Sequence, residues 1–166
     1  MTPIEQVLAA LEEVDARYLV VGGVAVVLHG RLRATADLDL VLSLDTANLD
    51  AALSAFVKLD LRPRAPVPLR AFADSEKRAD WVENRNMTVF SLWSAQFPGL
   101  EVDVFVEPPF DFDEVYARSI RVRLDQTEVS VISLPDLIAM KQASGRALDL
   151  DDIAALEALQ GGDDPS

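Results

Sequence analysis

Tyr18-Leu-Val-Val-Gly22-Gly23-Val24-Ala-Val-Val-Leu-His29-Gly30-Arg31-Leu-Arg33-Ala-Thr35-Ala-Asp37-Leu38-Asp39-Leu40-Val-Leu42 sets out a strand, a glycine break, a helix, a basic loop and a second strand. Tyr18 to Val21 is short, apolar and β-branched, as strands are. The glycine pair breaks it, and Val24 to Leu28 begins a buried helix that ends near Gly30. Arg31 to Ala36 is a polar, basic loop. From Asp37 the chain alternates, with Asp37 and Asp39 at positions i and i+2. They share one face of a strand, about 6.6 Å apart at ~3.3 Å per residue. Leu38, Leu40 and Leu42 take the other face. Two carboxylates projecting together from an apolar strand are costly unless a cation sits between them.

Asp103 repeats the oddity, flanked by Val102, Val104, Phe105 and Val106. If its strand lies beside the first, three carboxylates converge. That set suits Mg²⁺, a hard cation that takes oxygen ligands at ~2.0–2.1 Å. The plainer alternative places each aspartate at a strand end, solvated or paired with arginine. Glycines between strand and helix let backbone N–H groups approach phosphate oxygens. The pair alone is a weak signal, and it gains weight from Arg31, Arg33, Thr35 and the aspartates that follow. No Gly-Lys-Ser/Thr and no Gly-x-Gly-x-x-Gly occurs, so neither a P-loop nor a dinucleotide fingerprint is present.

Working outward, Ile4, Val7, Leu8, Leu11 and Val14 mark an amphipathic helix, with Thr2 as cap and Pro3 in its first turn. Thr46 to Val57 is another. In residues 59–86, Pro63, Pro66 and Pro68 forbid a continuous helix or a central strand. That segment reads as a loop followed by a short helix around Leu69 to Val82. Slightly basic in an acidic chain, it is the expected substrate-facing insertion, with Arg62, Arg64 or Arg70 on the cleft rim. Met87 to Trp93 and Leu100 to Val106 alternate as strands, and Ile120–Leu124 with Val129–Ile132 forms a hairpin. Ser133 or Asp136 caps a helix that Gly145 ends, and Asp149 to Leu159 is the last helix. The expected organisation is an α/β core over 1–132, a C-terminal helical pair over 133–160 and a disordered tail over 161–166. The fold class is α+β, with a mixed sheet.

Composition limits the function. The chain has 166 residues, enough to bury a core without staples. Its 15 Lys+Arg against 28 Asp+Glu leave a net charge of -13, the wrong sign for a broad nucleic-acid surface. Absence of cysteine excludes thiol catalysis and zinc ribbons. His29 is the single histidine and reads as a packed, hydrogen-bonded residue rather than a base. No leader pattern or bilayer-length apolar run occurs, so a cytoplasmic protein without membrane association is expected. Trp81 and Trp93 read as packing residues. Lys141 and Arg146 either reach a triphosphate or pair with Asp149, Asp151 or Asp152.

Gly22-Gly23-Val-Ala, the run Gly30-Arg-Leu-Arg-Ala-Thr-Ala-Asp37-Leu-Asp39-Leu and Val102-Asp103-Val-Phe together resemble the DNA polymerase β-type nucleotidyltransferase superfamily. More narrowly, they are similar to small bacterial nucleotidyltransferases of the AbiEii type, found in toxin–antitoxin and phage-defence systems. Leu134 to Asp152 resembles the helical segment that follows the catalytic domain there. The resemblance implies a mixed, mostly antiparallel central sheet with flanking helices and a C-terminal helical pair. It implies transfer of a nucleoside monophosphate from an NTP to an acceptor hydroxyl of protein, RNA or a small molecule, releasing pyrophosphate. Asp37, Asp39 and Asp103 would be catalytic and would hold two Mg²⁺ or Mn²⁺ ions. Gly22, Gly23, Arg33, Thr35 and Lys141 would bind the nucleotide. Val24 departs from the pattern, since many active members have serine there. The alternative is an inactive fold serving as an antitoxin-like or regulatory partner of another protein; Val24 favours it and the three aspartates oppose it.

Overall fold

The computed structural model describes residues 1–162; of the tail expected at 161–166, residues 163–166 lie outside them. Thr2 caps α1 (Pro3–Glu13) by accepting from the Glu5 amide. β1 (Tyr18–Val21) is wholly buried and runs directly into α2 (Gly22–Leu28), so the glycines open the helix rather than precede it. β2 (Asp37–Leu42) and α3 (Thr46–Lys58) follow, with Asp45 accepting from the Asn48 amide at the α3 cap.

The segment 59–86 is more ordered than its prolines suggest. β3 (Arg62–Pro63) occupies the end of the sheet, where a residue without an N–H breaks no ladder. The single helix expected around Leu69 to Val82 is two elements: a 3-10 turn over Leu69–Ala73 and α4 (Ser75–Arg85). Asp74 divides them, because its side chain accepts from the Glu76 and Lys77 amides and starts a new helix. β4 (Val89–Trp93) and β5 (Glu101–Phe105) form the expected pair. α5 (Phe112–Ala117) left no periodic signature, being under two turns long, but Asp111 caps it. β6 (Ile120–Arg123), β7 (Glu128–Val131), α6 (Leu134–Ser144) and α7 (Ala147–Gly162) complete the order. Ser133 is the α6 cap, while Asp136 binds Arg118. α7 runs into the glycines expected to open the tail, a difference of the size common at helix ends.

The strands form one sheet in the order β3-β4-β5-β2-β1-β7-β6 among the described residues. β1–β7 and β2–β5 pair in parallel, and the other four pairings are antiparallel. The fold is therefore the mixed, mostly antiparallel α+β arrangement. On one face Phe90 stacks between Phe72 and Trp81 at centroid distances of 5.3 and 5.1 Å, which anchors the 3-10 turn and α4. α2 packs on β1 and β2, and α6 packs on α2 and α7. Among the described residues no helix is long and apolar enough to cross a membrane.

Candidate active site

β2 and β5 lie side by side in parallel, with Asp39 opposite Asp103 and Asp37 opposite Glu101. β4 extends both rows, placing Ser91 beside Asp103 and Trp93 beside Glu101. Ladder partners share a face, as do positions two apart along a strand. One face therefore carries Ser91-Asp103-Asp39 in one row and Trp93-Glu101-Asp37 in the next. Leu38, Leu40, Val102 and Val104 point the other way and are buried. The structure thus brings the three expected aspartates onto one face of adjacent strands.

Their charges interact. Burial, then the charges of Asp103 and Asp37, pushes the Asp39 carboxyl up to about 6, against the opposing pull of Lys141 and Arg146. Burial also raises Asp103; its hydrogen bond from Ser91 Oγ, at 2.7 Å, works against the rise, and Glu101 and Asp37 add to it. A cation between such groups relieves their repulsion. Among the described residues, no three acidic or histidine side chains stand close enough to enclose an ion unaided. Mg²⁺ commonly binds through one or two carboxylates, with water and substrate phosphates filling the remaining positions. An all-oxygen set sharing one face fits that mode, and does not fit a closed cage.

The glycine turn is built around these side chains. β1 ends with Val21 opposite Asp39, so Gly22 lies over the carboxylate. Gly22 has a φ of +66°, and a Cβ there would stand 2.1 Å from Asp39 Oδ2. A Cβ on Gly23 would meet Arg33 Nη2 at 2.9 Å and Thr35 Oγ1 at 3.0 Å. Glycine is thus required twice, by Asp39 and by the Arg33–Thr35 loop. Thr35 Oγ1 also donates to the Asp37 carbonyl at 3.2 Å. Val24 is buried in the core and offers nothing to the site.

A sequence-family model described as "Nucleotidyltransferase of unknown function (DUF6036)" matches residues 2–161. The chain belongs to this nucleotidyltransferase family. No curated protein matches this family member in sequence. Among solved structures, the lincosamide antibiotic adenylyltransferase LnuA, with lincomycin bound, has a TM-score of 0.63 at 14% identity, covering 94% of this chain and 95% of that one. An antigenic nucleotidyltransferase-like protein from Paracoccidioides brasiliensis has a TM-score of 0.58 at 18% identity, covering 96% and 78%. The antibiotic-resistance factor ANT(2'')-Ia has a TM-score of 0.57 at 15% identity, covering 96% and 88%. These likenesses are of fold.

Other expected residues of this nucleotidyltransferase fall in different places. Arg33 and Lys141 stand near the glycine turn and Asp39 respectively, but both are already paired with α7: Arg33 with Asp152, Lys141 with Asp149 and Asp152. Arg146 pairs with Asp149. His29 Nε2 lies 2.8 Å from the Ile132 carbonyl oxygen, a packed role. Arg62 pairs with Asp60, and Arg70 with Asp50 on α3. Arg64 is the arginine that reaches the acidic face: it bonds Glu101 at 3.1 Å and lies 5.5 Å over the Trp93 ring. Asp37, Arg64, Trp93, Phe97, Leu100 and Glu101 line an open pocket of about 310 Å³. A second pocket of about 250 Å³, beside Leu44, Arg78 and Val106, lies past the opposite ends of β2 and β5 and holds none of the aspartates. Sequence reading missed Ser91 and Glu101. Both were detectable, since each stands two residues from a residue already singled out on the same strand.

Proposed function

We propose that this protein transfers a nucleoside monophosphate from an NTP to an acceptor hydroxyl. The observation that carries the reading is the placement of Asp37, Asp39 and Asp103 on one face of adjacent strands, with Asp39 directly against Gly22 of the glycine turn. Family membership supports it. In the reaction the acceptor oxygen forms a bond to the α-phosphorus, the bond to the bridging oxygen breaks, and pyrophosphate leaves. Asp37 and Asp39 would hold Mg²⁺ or Mn²⁺ together with the nucleotide's phosphates, and Asp103 would hold the acceptor-side ion. Two such ions would supply charge neutralisation at the attacking and leaving oxygens. Asp103, next to the acceptor-side ion, would also stand where it could help remove the hydroxyl proton. Gly22 and Gly23 let the chain approach the phosphates, with Arg33, Thr35 and Lys141 beside them.

The pocket next to Asp37 is where the acceptor sits. Trp93, Phe97 and Leu100 offer an apolar wall, while Asp37 and Glu101 outweigh Arg64 in charge. A small neutral or cationic hydroxyl compound suits that lining better than a polyanion such as RNA. The solved lincosamide antibiotic adenylyltransferase supports a small acceptor by analogy of fold. NTP supply places the reaction in the cytoplasm, and the AbiEii-type resemblance suggests a toxin–antitoxin or phage-defence setting with a protein partner. Val24 in place of serine is the one observation on the side of an inactive, antitoxin-like role.

The test incubates the full chain with Mg²⁺ or Mn²⁺, each of the four NTPs, and panels of hydroxylated amines, RNA and protein. Pyrophosphate release is followed, with mass spectrometry of the acceptors. Expected is release with an acceptor gaining one NMP, abolished in Asp37→Asn and Asp39→Asn. Metal-dependent NTP binding by the wild type, with no pyrophosphate release in any acceptor panel, would establish the inactive reading instead.

A further inference from the structure

Asp152 is fully buried on α7, yet three cations from two distant parts of the chain converge on it. Arg31 Nη1 lies 3.0 Å from Oδ1, Arg33 Nη1 lies 2.5 Å from Oδ2, and Lys141 Nζ lies 3.0 Å from Oδ2. One turn earlier, Asp149 accepts from Lys141 at 3.0 Å, Ser144 at 2.7 Å and Arg146 at 2.8 Å. The two carboxylates are spaced i, i+3, so one face of α7 presents both. Arg31, Arg33, Lys141 and Arg146 outnumber them by two positive charges. Asp152 Oδ1 and Arg31 Nη1 are shut from solvent and make no hydrogen bond, although they face each other. The cluster is therefore neither neutral nor saturated. It borders the glycine turn, because Arg33 Nη2 lies against the position of a Gly23 Cβ. Lys141 and Arg146 are also close enough to Asp39 to act on its charge.

An acid placed among cations weakens their pull on an anion. Its benefit must be geometric. Lys and Arg side chains have many rotamers, and a ligand that must order them binds less tightly than one that finds them ordered. We propose that Asp152 is a positioning residue that holds Arg33 against the Gly22-Gly23 turn and Lys141 on the Asp39 side of it, so that the excess positive charge receives a nucleotide's polyphosphate and α7 is held to the body by the ligand. The inference rests on the nucleotidyltransferase reading for its ligand. It adds that the last helix is part of the polyphosphate site.

The probe is inorganic tripolyphosphate, titrated calorimetrically into the full chain without divalent metal. Asp152→Asn raises the cluster's net positive charge, so charge alone predicts tighter binding. Positioning predicts the opposite, a dissociation constant at least about tenfold higher, with the fold checked by circular dichroism. Unchanged or tighter binding in folded Asp152→Asn overturns the proposal. Should that variant fail to fold, hydrogen exchange on the wild type decides: tripolyphosphate must slow exchange in both the 31–35 loop and α7, and no slowing in α7 overturns it. Tripolyphosphate carries no nucleoside, so its binding is independent of catalysis. Tripolyphosphate binding without NMP transfer sinks the catalytic reading alone. Transfer with unaltered binding in Asp152→Asn sinks this inference alone.

Discussion

Asp39 carries its charge at a cost that its position explains. Burial, with Asp103 and Asp37 nearby, lifts its proton affinity from the ordinary 3.8 to about 6. The folded chain thus holds this proton more tightly than the unfolded chain does. Stability from this group is complete below the unfolded value and is lost as pH rises through about 6. Asp39→Asn, which removes the charge and keeps the shape, should leave thermal melting nearly unchanged at pH 4 and stabilise the fold at pH 8, by about 2 kcal/mol. Equal shifts at both pH values would assign the effect to packing instead. The aspartate pair was legible because alternation on a strand is local: positions two apart share a face whatever the rest of the chain does. That clustered carboxylates raise a proton affinity was legible as a direction; its size was not, since it depends first on burial and then on Asp103, far along the sequence.

Among the elements, the β4–β5 pair and the segment before it divide two tryptophans that sequence alone treated alike. Trp81 on α4 is buried and stacked on Phe90. Trp93 at the end of β4 is half-buried, under Arg64 and beside Glu101. Trp81→Ala should lose about 3–5 kcal/mol in denaturant unfolding, as large-to-small core changes do. Trp93→Ala should lose clearly less and instead raise the acceptor's KM while leaving the NTP's unchanged. A Trp93→Ala variant as unstable as Trp81→Ala, with acceptor KM intact, would make Trp93 a core residue. The proline-bearing segment shows the limit of propensity. Prolines excluded a central strand and left an edge strand open, but only Asp74's capping bonds decided where α4 begins.

At the scale of the whole molecule, a net charge of -13 on 166 residues works against compactness. The Asp152 cluster is shielded from solvent, whereas most other ion pairs are exposed and worth little. Screening should therefore relieve repulsion more than it weakens attraction. Raising NaCl from about 0.05 to 0.5 M, which shortens the screening length severalfold, should raise the melting temperature. A fall in melting temperature with salt would mean that attractive pairs dominate.

The sequence by itself determined the six longer strands, the glycine break, the periodic capped helices and the face on which each aspartate lies. These follow from periods of two and 3.6 residues and from side chains bonding to nearby amides, all of which act within a few residues. Tertiary structure decided which faces meet. β5 lies beside β2 although two strands and two α-helices intervene, and that adjacency brings Asp103 to Asp39. Arg33 is bound by Asp152, 119 residues away, which no local pattern encodes. Such partners are chosen when apolar faces are buried together and the charges left between them must be matched in a medium that no longer screens them.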